Sequence, residues 1–512
     1  MQAGAAVRQG VIWNLLNTAF SQGAGIVIFL ILSRQLSPEV FGVFAIAVLL
    51  VDLYANQGRW AAMDGLIQRQ DFSKIALSSA FWSLMAFAVV LAGAFALAAG
   101  GIAQLVSEPL VAQVLPALAL AMPLMPAAAV MDALLMRDLQ FKAQALRNMA
   151  GTFVGGGVGL LVAFGPAPEW ALVAQRLAVS ATTLVVLFAL TRWAPALTLQ
   201  WNSARGFLRR AGQLWAAMLL ATAHARVIEA SIGVRSGVQA LGLLRVAQRL
   251  EEALHGPVTG PIQALWVPVL SKIREDRSAA WSLFLQLSRL AALFAIPAFV
   301  GLGLVAHDLV ALAFDDRYAR AADVLRLLGL AGLLIPLGYF GNMVFAALDR
   351  SDLGLKFSMV ALPLTATAVW FASPYGAAAA VGASIAVMGC AGIIVTIVQI
   401  RMMGGDVRGY AAFVAPAYAA AGVMIAVLVP LAQWLPFEAP LLRLACLIPA
   451  GGGAYLGWLA LAHRRAVRDA WAFISEVRAP DAPEAPPSEE QPSAEESPQG
   501  GRPDAPASAV AG

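Results

Sequence analysis

The sequence predicts an all-α, polytopic membrane protein of about 14 transmembrane helices, arranged as two six-helix lobes around a central cleft plus two extra helices. Three observations predict this fold. Hydrophobic residues make up 60% of the 512 positions and charged residues 12%, whereas soluble domains average ~45–50% and ~25%. The apolar residues form runs of about the length that a membrane-spanning helix needs. Finally, short motifs of the first half recur in the second.

Fourteen apolar runs give the helix count. Each is too long for a strand of a lipid-facing barrel, which would alternate and span only ~9–11 residues. We therefore expect each run to form a helix. Their approximate spans are 11–32, 40–57, 76–99, 110–135, 146–165, 170–191, 211–233, 238–264, 282–305, 323–348, 356–373, 376–400, 411–433 and 440–462.

The charges between the runs predict the orientation. With a cytoplasmic amino terminus, the inner connections carry 21 Arg and Lys residues and the outer ones at most 5, namely Arg34, Arg235, Arg317, Arg320 and Arg443. Cytoplasmic connections are enriched in Arg and Lys in membrane proteins generally. The chain is therefore predicted to cross a membrane many times, with both termini cytoplasmic.

Two pairs of motifs indicate an internal repeat. RQLSPEVFG at Arg34–Gly42 follows run 1, and RSGVQALG at Arg235–Gly242 follows run 7. MRDLQFK at Met136–Lys142 follows run 4, and RSDLGLKF at Arg350–Phe357 follows run 10. Runs 1–6 thus map onto runs 7–12 in the same orientation, because six crossings return the chain to the same side. Parallel repeats of this kind are common in transporters.

The repeat and the composition divide the chain into four parts. Residues 1–205 form the predicted N-terminal lobe, 206–405 the C-terminal lobe, and 406–468 the two extra helices. Residues 469–512 form a cytoplasmic, mostly disordered acidic tail, because Ala479–Gly512 is rich in Pro, Ala, Ser and Glu and has too few apolar residues for a core. The tail is either a passive solvated segment or one that binds a partner.

Run 8 carries a polar stripe at helical spacing. Steps of three and four residues place its members on one face: Arg245, Gln248, Arg249, Glu252, His255 and Thr259. Cations inside a bilayer are costly and usually face protein or water. The stripe therefore predicts a helix that borders a polar cavity. The alternative is an amphipathic helix lying on the cytoplasmic surface of the membrane.

Other polar residues inside the runs extend the candidate binding site. They are the cations Arg176, Arg226 and Arg289, the acids Glu229 and Asp52, and Asn17. Each Arg suits phosphate oxygens through its planar fork, but could instead reach an interface or pair with an acid. Glu252 lies three residues after Arg249, so pairing between them is expected, and either glutamate could also exchange a proton. Interhelical hydrogen bonds are the alternative for Asn17 and Asp52.

No cofactor or metal is expected. Cys390 and Cys446 lie in apolar runs without a CxxC pattern, so we interpret them as packing residues, and the four histidines are scattered. Neither GxxxxGK[ST] nor GxSxG occurs, so nothing indicates hydrolysis of nucleotides or acyl esters. The outer connections are short, the longest being about residues 307–322. We therefore do not expect an enzyme or a partner nucleic acid.

Four stretches resemble a known family: Arg34–Gly42, Gly65–Arg69, Leu135–Lys142 and the region from Leu287 to Asp352. They look like the polysaccharide transporter family, in the superfamily that joins multidrug exporters of the toxin-extrusion type with oligosaccharide-lipid flippases. The resemblance covers about residues 8–463. It implies two six-helix lobes and alternating access. It also implies flipping of undecaprenyl-pyrophosphate-linked oligosaccharide to the outer leaflet for O-antigen, capsule or exopolysaccharide synthesis.

Two other function classes stay open. A multidrug exporter of the same fold would favour an acidic cleft for cationic drugs, whereas intramembrane Arg predominates here. A membrane glycan polymerase or acyltransferase would need a large outer loop or converging His and carboxylates. The expected partners of a flippase are the lipid-linked oligosaccharide and the lipid bilayer, with a polysaccharide polymerase and export machinery acting alongside.

Overall fold

The computed structural model describes residues 2–69, 72–273, 276–465 and 468–469. Within these ranges the chain is helical and has no strand, which confirms the predicted class. The predicted tail lies outside the described residues except for its first residue, Asp469. The first nine α-helices are α1 Gln2–Gln35, α2 Pro38–Ala55, α3 Gln57–Arg69, α4 Lys74–Leu105, α5 Val111–Ala119, α6 Met125–Arg137, α7 Phe141–Ala163, α8 Ala171–Thr191 and α9 Trp201–Arg235. The others are α10 Val238–Lys272, α11 Arg277–Leu304, α12 Ala306–Ala313, α13 Ala321–Leu330, α14 Gly341–Ala347, α15 Ser351–Ala372, α16 Ala377–Met402, α17 Val407–Trp434 and α18 Pro440–Ala462.

Thirteen helical segments of the described chain are long and apolar enough to cross a membrane. They correspond to thirteen of the fourteen predicted runs. The remaining run, run 8, forms the continuous 35-residue helix α10. Its charged stripe separates it from the other thirteen by composition, yet it packs against α2, α9, α11 and α13. Contacts with these helices and with α14 and α16 favour a buried position for α10 over the surface helix that the sequence left as an alternative.

Runs 4 and 10, which the repeat pairs with each other, are both interrupted, whereas each was predicted as one continuous helix. Run 4 splits into α5 and α6 around the turn Met122–Leu124, where Pro123 and Pro126 cannot donate helical hydrogen bonds. Run 10 splits into α13 and α14, with non-helical backbone at Leu337 and at Gly338, which has φ +88°. Paired discontinuous helices are typical of transporter binding regions.

The break in run 10 is supported by side chains of the helices beside it. An interrupted helix frees carbonyl groups that must find other donors inside a membrane. Tyr418 donates to Leu333 O at 2.7 Å, Tyr410 donates to Pro336 O at 2.6 Å, and Gln399 donates to Gly341 O at 2.8 Å. The two tyrosines belong to α17, one of the helices outside the repeat. This helix therefore helps to hold the break in its observed conformation.

The two halves of the chain share a core at one end only. One apolar cluster contains residues from both halves, including Leu32, Phe41, Phe314 and Val381. A second cluster draws only on 62–211 and a third only on 262–459. The shared cluster lies near the connections that the charge pattern places outside. The halves are thus joined at the predicted outer end, and towards the inner end their cores are separate apart from Phe207 and Ala211 of α9, which belong to the cluster of the first half.

The recurring motifs cross each other at this shared end. A Cβ atom added to Gly42 would overlap the carbonyl oxygen of Val238, and one added to Gly242 would overlap that of Pro38. Both glycines thus permit the same close approach of α2 and α10, exactly 200 positions apart in the sequence. The reciprocal contact is what two repeats related by a pseudo-two-fold axis would make. Tyr318 adds to it by donating to Leu36 O at 2.8 Å.

We expect Gly42→Val to open this crossing, because the new side chain cannot fit against the α10 backbone. The test uses Leu241→Cys, at a fully buried position of α10, in a chain without Cys390 and Cys446. A membrane-impermeant maleimide added to intact cells should label the cysteine only in the Gly42→Val background. Gly23→Val is the control, since nothing lies within 4 Å of a Cβ there. Equal protection in both backgrounds would contradict the prediction.

Two sequence expectations need correction. Among the 21 charges assigned to the inner connections are Arg59 and Arg147, but both lie in helices and pair with Asp132 inside the first half. Cys390 and Cys446 are exposed on the helix surfaces rather than packed internally, because the membrane-facing side of a helix is itself apolar. The predicted boundary between residues 205 and 206 lies within α9, which packs on α3 and α4. The division into lobes stays a prediction.

Candidate functional site

A cavity of about 400 Å³ lies between helices of both halves, where the α10 stripe faces α1, α2 and α8. Its polar lining comes mainly from two helices: Gln175 and Arg176 of α8, and Arg245, Gln248, Arg249 and Glu252 of α10. The stripe predicted from spacing therefore does border a cavity. Gly25 of α1 makes room for it, because a Cβ there would lie 2.7 Å from Nη2 of Arg249.

A shared carboxylate holds two of the predicted cations. Glu229 of α9 lies with one oxygen 2.9 Å from Arg226 Nη1 and 3.0 Å from Arg245 Nη2. Its side chain is only 3% exposed, whereas those of the two arginines are about a quarter exposed. Removing a carboxylate from water is costly unless cations compensate it. Glu229 therefore ties α9 to α10 and leaves this group of three with one positive charge.

The other members of the site form looser pairs. Arg249 Nη1 lies 3.7 Å from Glu252, whose side chain is 58% exposed, so the pairing expected from their spacing is present but weak. Arg176 of α8 pairs with Asp52 of α2. Each of these cations thus has an acidic partner. Such pairing is the alternative to phosphate binding that the sequence left open for each Arg. Arg176, Arg245 and Arg249 also line the cavity, and Arg226 adjoins it through Glu229, so the pairing does not exclude a binding role.

The cluster has one buried donor that no protein group uses. Among the residues that the structure describes, Nε of Arg226 is buried without a hydrogen-bond partner, whereas Nη2 of Arg245 has its ion pair with Glu229 at 3.0 Å. Buried unsatisfied donors are costly and call for a ligand or water. Four guanidinium groups, those of Arg176, Arg226, Arg245 and Arg249, pair with three carboxylates. The excess charge and the free donor both suit an anion.

Two predicted site residues lie elsewhere. Arg289 of α11 stacks over the ring of Phe413 at 3.9 Å and lies 3.3 Å from Asp469. Asn17 accepts a hydrogen bond from Ser21 of its own helix at 3.3 Å. Neither lines the cavity. The structure therefore does not bring them together with the α10 stripe.

The sequence reasoning missed a second charged group next to the cavity. Asp132 of α6 pairs with Arg147 of α7 and lies 2.7 Å from Arg59 Nη1 of α3. Arg59 lies close enough to Arg176 for the two to repel each other. Two cations on one carboxylate leave a further positive charge beside the site. The available signal in the sequence is Asp132, an acidic residue inside an apolar run. Its partners lie on other helices, and spacing along one helix cannot detect such pairs.

Comparison with known proteins gives the family of the chain. A family model described as "Polysaccharide biosynthesis protein" matches residues 31–323. The succinoglycan biosynthesis transport protein ExoT of Rhizobium meliloti (strain 1021) is 25% identical over 335 residues, 65% of this chain and 68% of that protein. The lipopolysaccharide biosynthesis protein WzxC of Escherichia coli (strain K12) is 22% identical over 352 residues, 68% of this chain and 72% of that protein.

Solved structures show the same fold. The lipid II flippase MurJ in an inward closed conformation aligns over 89% of this chain and all of its own, with a TM-score of 0.71 and 14% identity. An inward-facing multidrug resistance MATE transporter aligns over 76% of this chain and 94% of its own, with a TM-score of 0.54 and 14% identity. The fold and the apolar helices are those of a multi-pass membrane protein. Since the family model spans more than half of its length, the chain belongs to the polysaccharide biosynthesis protein family.

Proposed function

We propose that this protein flips undecaprenyl-pyrophosphate-linked oligosaccharide from the inner to the outer leaflet of the membrane by alternating access. The observation that carries the proposal is the arginine-lined cavity between the two halves. Relatives named for succinoglycan transport and lipopolysaccharide biosynthesis support the polysaccharide class. The diphosphate is the part of such a substrate that the described cavity suits by charge.

Charge balance supports a diphosphate in particular. The cavity group leaves one positive charge, and the adjoining group of Arg59, Asp132 and Arg147 leaves another. A diphosphate diester carries one negative charge on each phosphate, so the two balance. Guanidinium groups bind phosphate oxygens in two-pronged contacts, which are stronger than neutral hydrogen bonds. A cationic drug would meet the opposite charge, so the site favours the lipid-linked sugar over a multidrug substrate.

The joined outer end supports loading from the inside. The shared core and the crossing at Gly42 and Gly242 close one end of the molecule, while the two halves keep largely separate cores at the other. With the orientation that the loop charges predict, the separate end faces the cytoplasm, where lipid-linked precursors are made. We accordingly propose both termini in the cytoplasm, the bacterial inner membrane as location, and a transporter without catalysis of its own.

Lipids that co-purify with the protein test this proposal. The full chain is purified from cells that make surface polysaccharide, and bound lipids are identified by mass spectrometry. We expect a polyprenyl diphosphate carrying sugars, enriched over total membrane lipid. An exposed double variant, Arg464→Gln with Arg465→Gln, should retain it, because both residues lie beyond α18. Retention of small cations with no diphosphate lipid would instead support a drug exporter.

A further inference from the structure

The polar stripe of α10 continues beyond the arginine cavity into a second network. Glu251, His255, Thr259 and Gln263 follow one another at steps of four. His255 is the eighteenth residue of the 35-residue helix, so it lies about 26 Å from the helix start and near its middle. Nothing in the diphosphate site uses these residues. They need an explanation of their own, because polar groups at this depth are costly.

The network connects α10 to the break in the second half. Nδ1 of His255 lies 2.9 Å from the Glu251 carboxylate, and its Nε2 contacts the hydroxyl of Tyr339. Gln263 donates to the same hydroxyl at 2.8 Å, and Thr259 lies within hydrogen-bonding reach of it. Tyr339 directly follows Gly338, the residue whose positive φ interrupts run 10. The imidazole therefore links a charged helix to the discontinuous one.

We propose that Glu251, His255 and Tyr339 form a proton-binding site that acts on the break in the second half. In neutral His255, Nδ1–H donates to Glu251, and Nε2 accepts the hydroxyl hydrogen of Tyr339. When a solvent proton adds to Nε2, this nitrogen becomes a donor. The hydroxyl of Tyr339 must then turn and give its hydrogen to another acceptor, and Thr259 Oγ is within reach. Protonation thus reverses one hydrogen bond at the discontinuous segment.

The surroundings of His255 favour this reversal over a purely structural role. Histidine is the side chain that changes charge near neutral pH, and its Glu251 partner converts the added charge into an ion pair. From α11 it meets the uncharged ring of Phe299, with centroids 5.5 Å apart. The neighbouring cavity of about 440 Å³ is lined by Tyr339 and His224 as its titratable groups within the described chain. The site is partly open, since the His255 side chain is 28% exposed.

Imidazole nitrogen NMR of the full chain in lipid nanodiscs tests proton binding directly. The chain has only four histidines, so ¹⁵N-histidine signals can be assigned by single His→Gln variants. We expect the His255 signal to change from neutral to protonated between about pH 8 and about pH 5. His307→Gln is the matched control, because that histidine also faces a carboxylate, Asp323 at 3.3 Å, but is exposed. An imidazole that stays in one state throughout this range would overturn the proposal.

Hydrogen exchange tests the effect on the break. Amide exchange in residues 331–347, corrected for its intrinsic dependence on pH, should change at least several-fold across the His255 titration. His255→Gln should remove this response. Tyr339→Phe should leave protonation of His255 intact but should also remove the change in amide exchange. If Tyr339 were merely structural, amide exchange in this variant would still follow protonation of His255. An unchanged response in either variant would overturn the proposal.

A role in driving transport rests on the proposed function, but proton binding does not. If no diphosphate lipid co-purifies, but His255 takes up a proton and amide exchange at the break changes with it, the flippase proposal fails and the proton-binding site stands. If the lipid is found and the histidine does not titrate, the reverse holds.

Discussion

Replacing Arg245 and Arg249 together by Gln should abolish export of surface polysaccharide while leaving the amount of protein in the membrane unchanged. The two guanidinium groups emerge one helical turn, ~5.4 Å, apart on the same face. They can therefore hold one diphosphate together. A hydrogen bond to a charged group contributes ~1.5–3 kcal/mol, so losing one should weaken binding about ten- to hundredfold. Losing both should reduce it further.

The ion pairs explain why the fold should tolerate this change. After Arg245→Gln, the buried carboxylate of Glu229 keeps Arg226 at 2.9 Å, so no acid is left uncompensated. After Arg249→Gln, Glu252 keeps its largely exposed side chain, which water solvates. Gln is shorter than Arg but keeps a polar, hydrogen-bonding side chain, and the double change removes two like charges that repel each other. Removing this repulsion should leave stability equal or slightly higher.

The measurement is surface polysaccharide in cells that make equal amounts of each variant. Arg464→Gln with Arg465→Gln is the matched control, since it removes the same charge from exposed positions after α18. This control should export at the wild-type level. Normal export by the Arg245→Gln, Arg249→Gln variant would remove the stripe from the mechanism. Loss of protein from the membrane would show a structural role instead.

The sequence predicted those features that repeat along one helix. Apolar runs locate thirteen spans and the continuous helix α10, because segment length and polarity are local properties. The stripe of Arg245 and Arg249 could also be predicted from the sequence, since residues three and four apart share a helix face. The motifs after runs 1 and 7 indicated the repeat, and their glycines meet in the structure.

The sequence did not predict contacts that depend on how helices meet. Glu229 holds Arg245 from another helix, and Asp132 holds Arg59 and Arg147 from two others. No spacing rule reports such pairs, because the residues are separated by many positions in the chain. The break at Gly338 was missed for a related reason. A glycine in an apolar run is compatible with a helix, and only its neighbours on α16 and α17 show that the helix stops there.

Asp132→Asn should cause the largest loss of stability of any single change considered for the first half. The carboxylate is 3% exposed and lies between Arg59 and Arg147, which approach it from α3 and α7. Asn148 accepts from Arg147 at 2.7 Å but carries no charge to replace it. Breaking a buried ion pair by removing one partner typically costs ~3–5 kcal/mol. Here two cations would lose their partner at once.

Thermal unfolding of the purified protein in detergent measures this effect as a lowered Tm. Adding Arg147→Gln to Asp132→Asn should recover part of the loss, because only Arg59 then remains, and its side chain is 19% exposed and can be partly solvated. Asp352→Asn serves as control, since that carboxylate bridges Arg350 and Lys356 on the exposed surface, where ion pairs contribute little. Equal Tm values for Asp132→Asn and wild type would mean that another acid neutralises the two arginines. In that case their excess charge could not support the diphosphate site either.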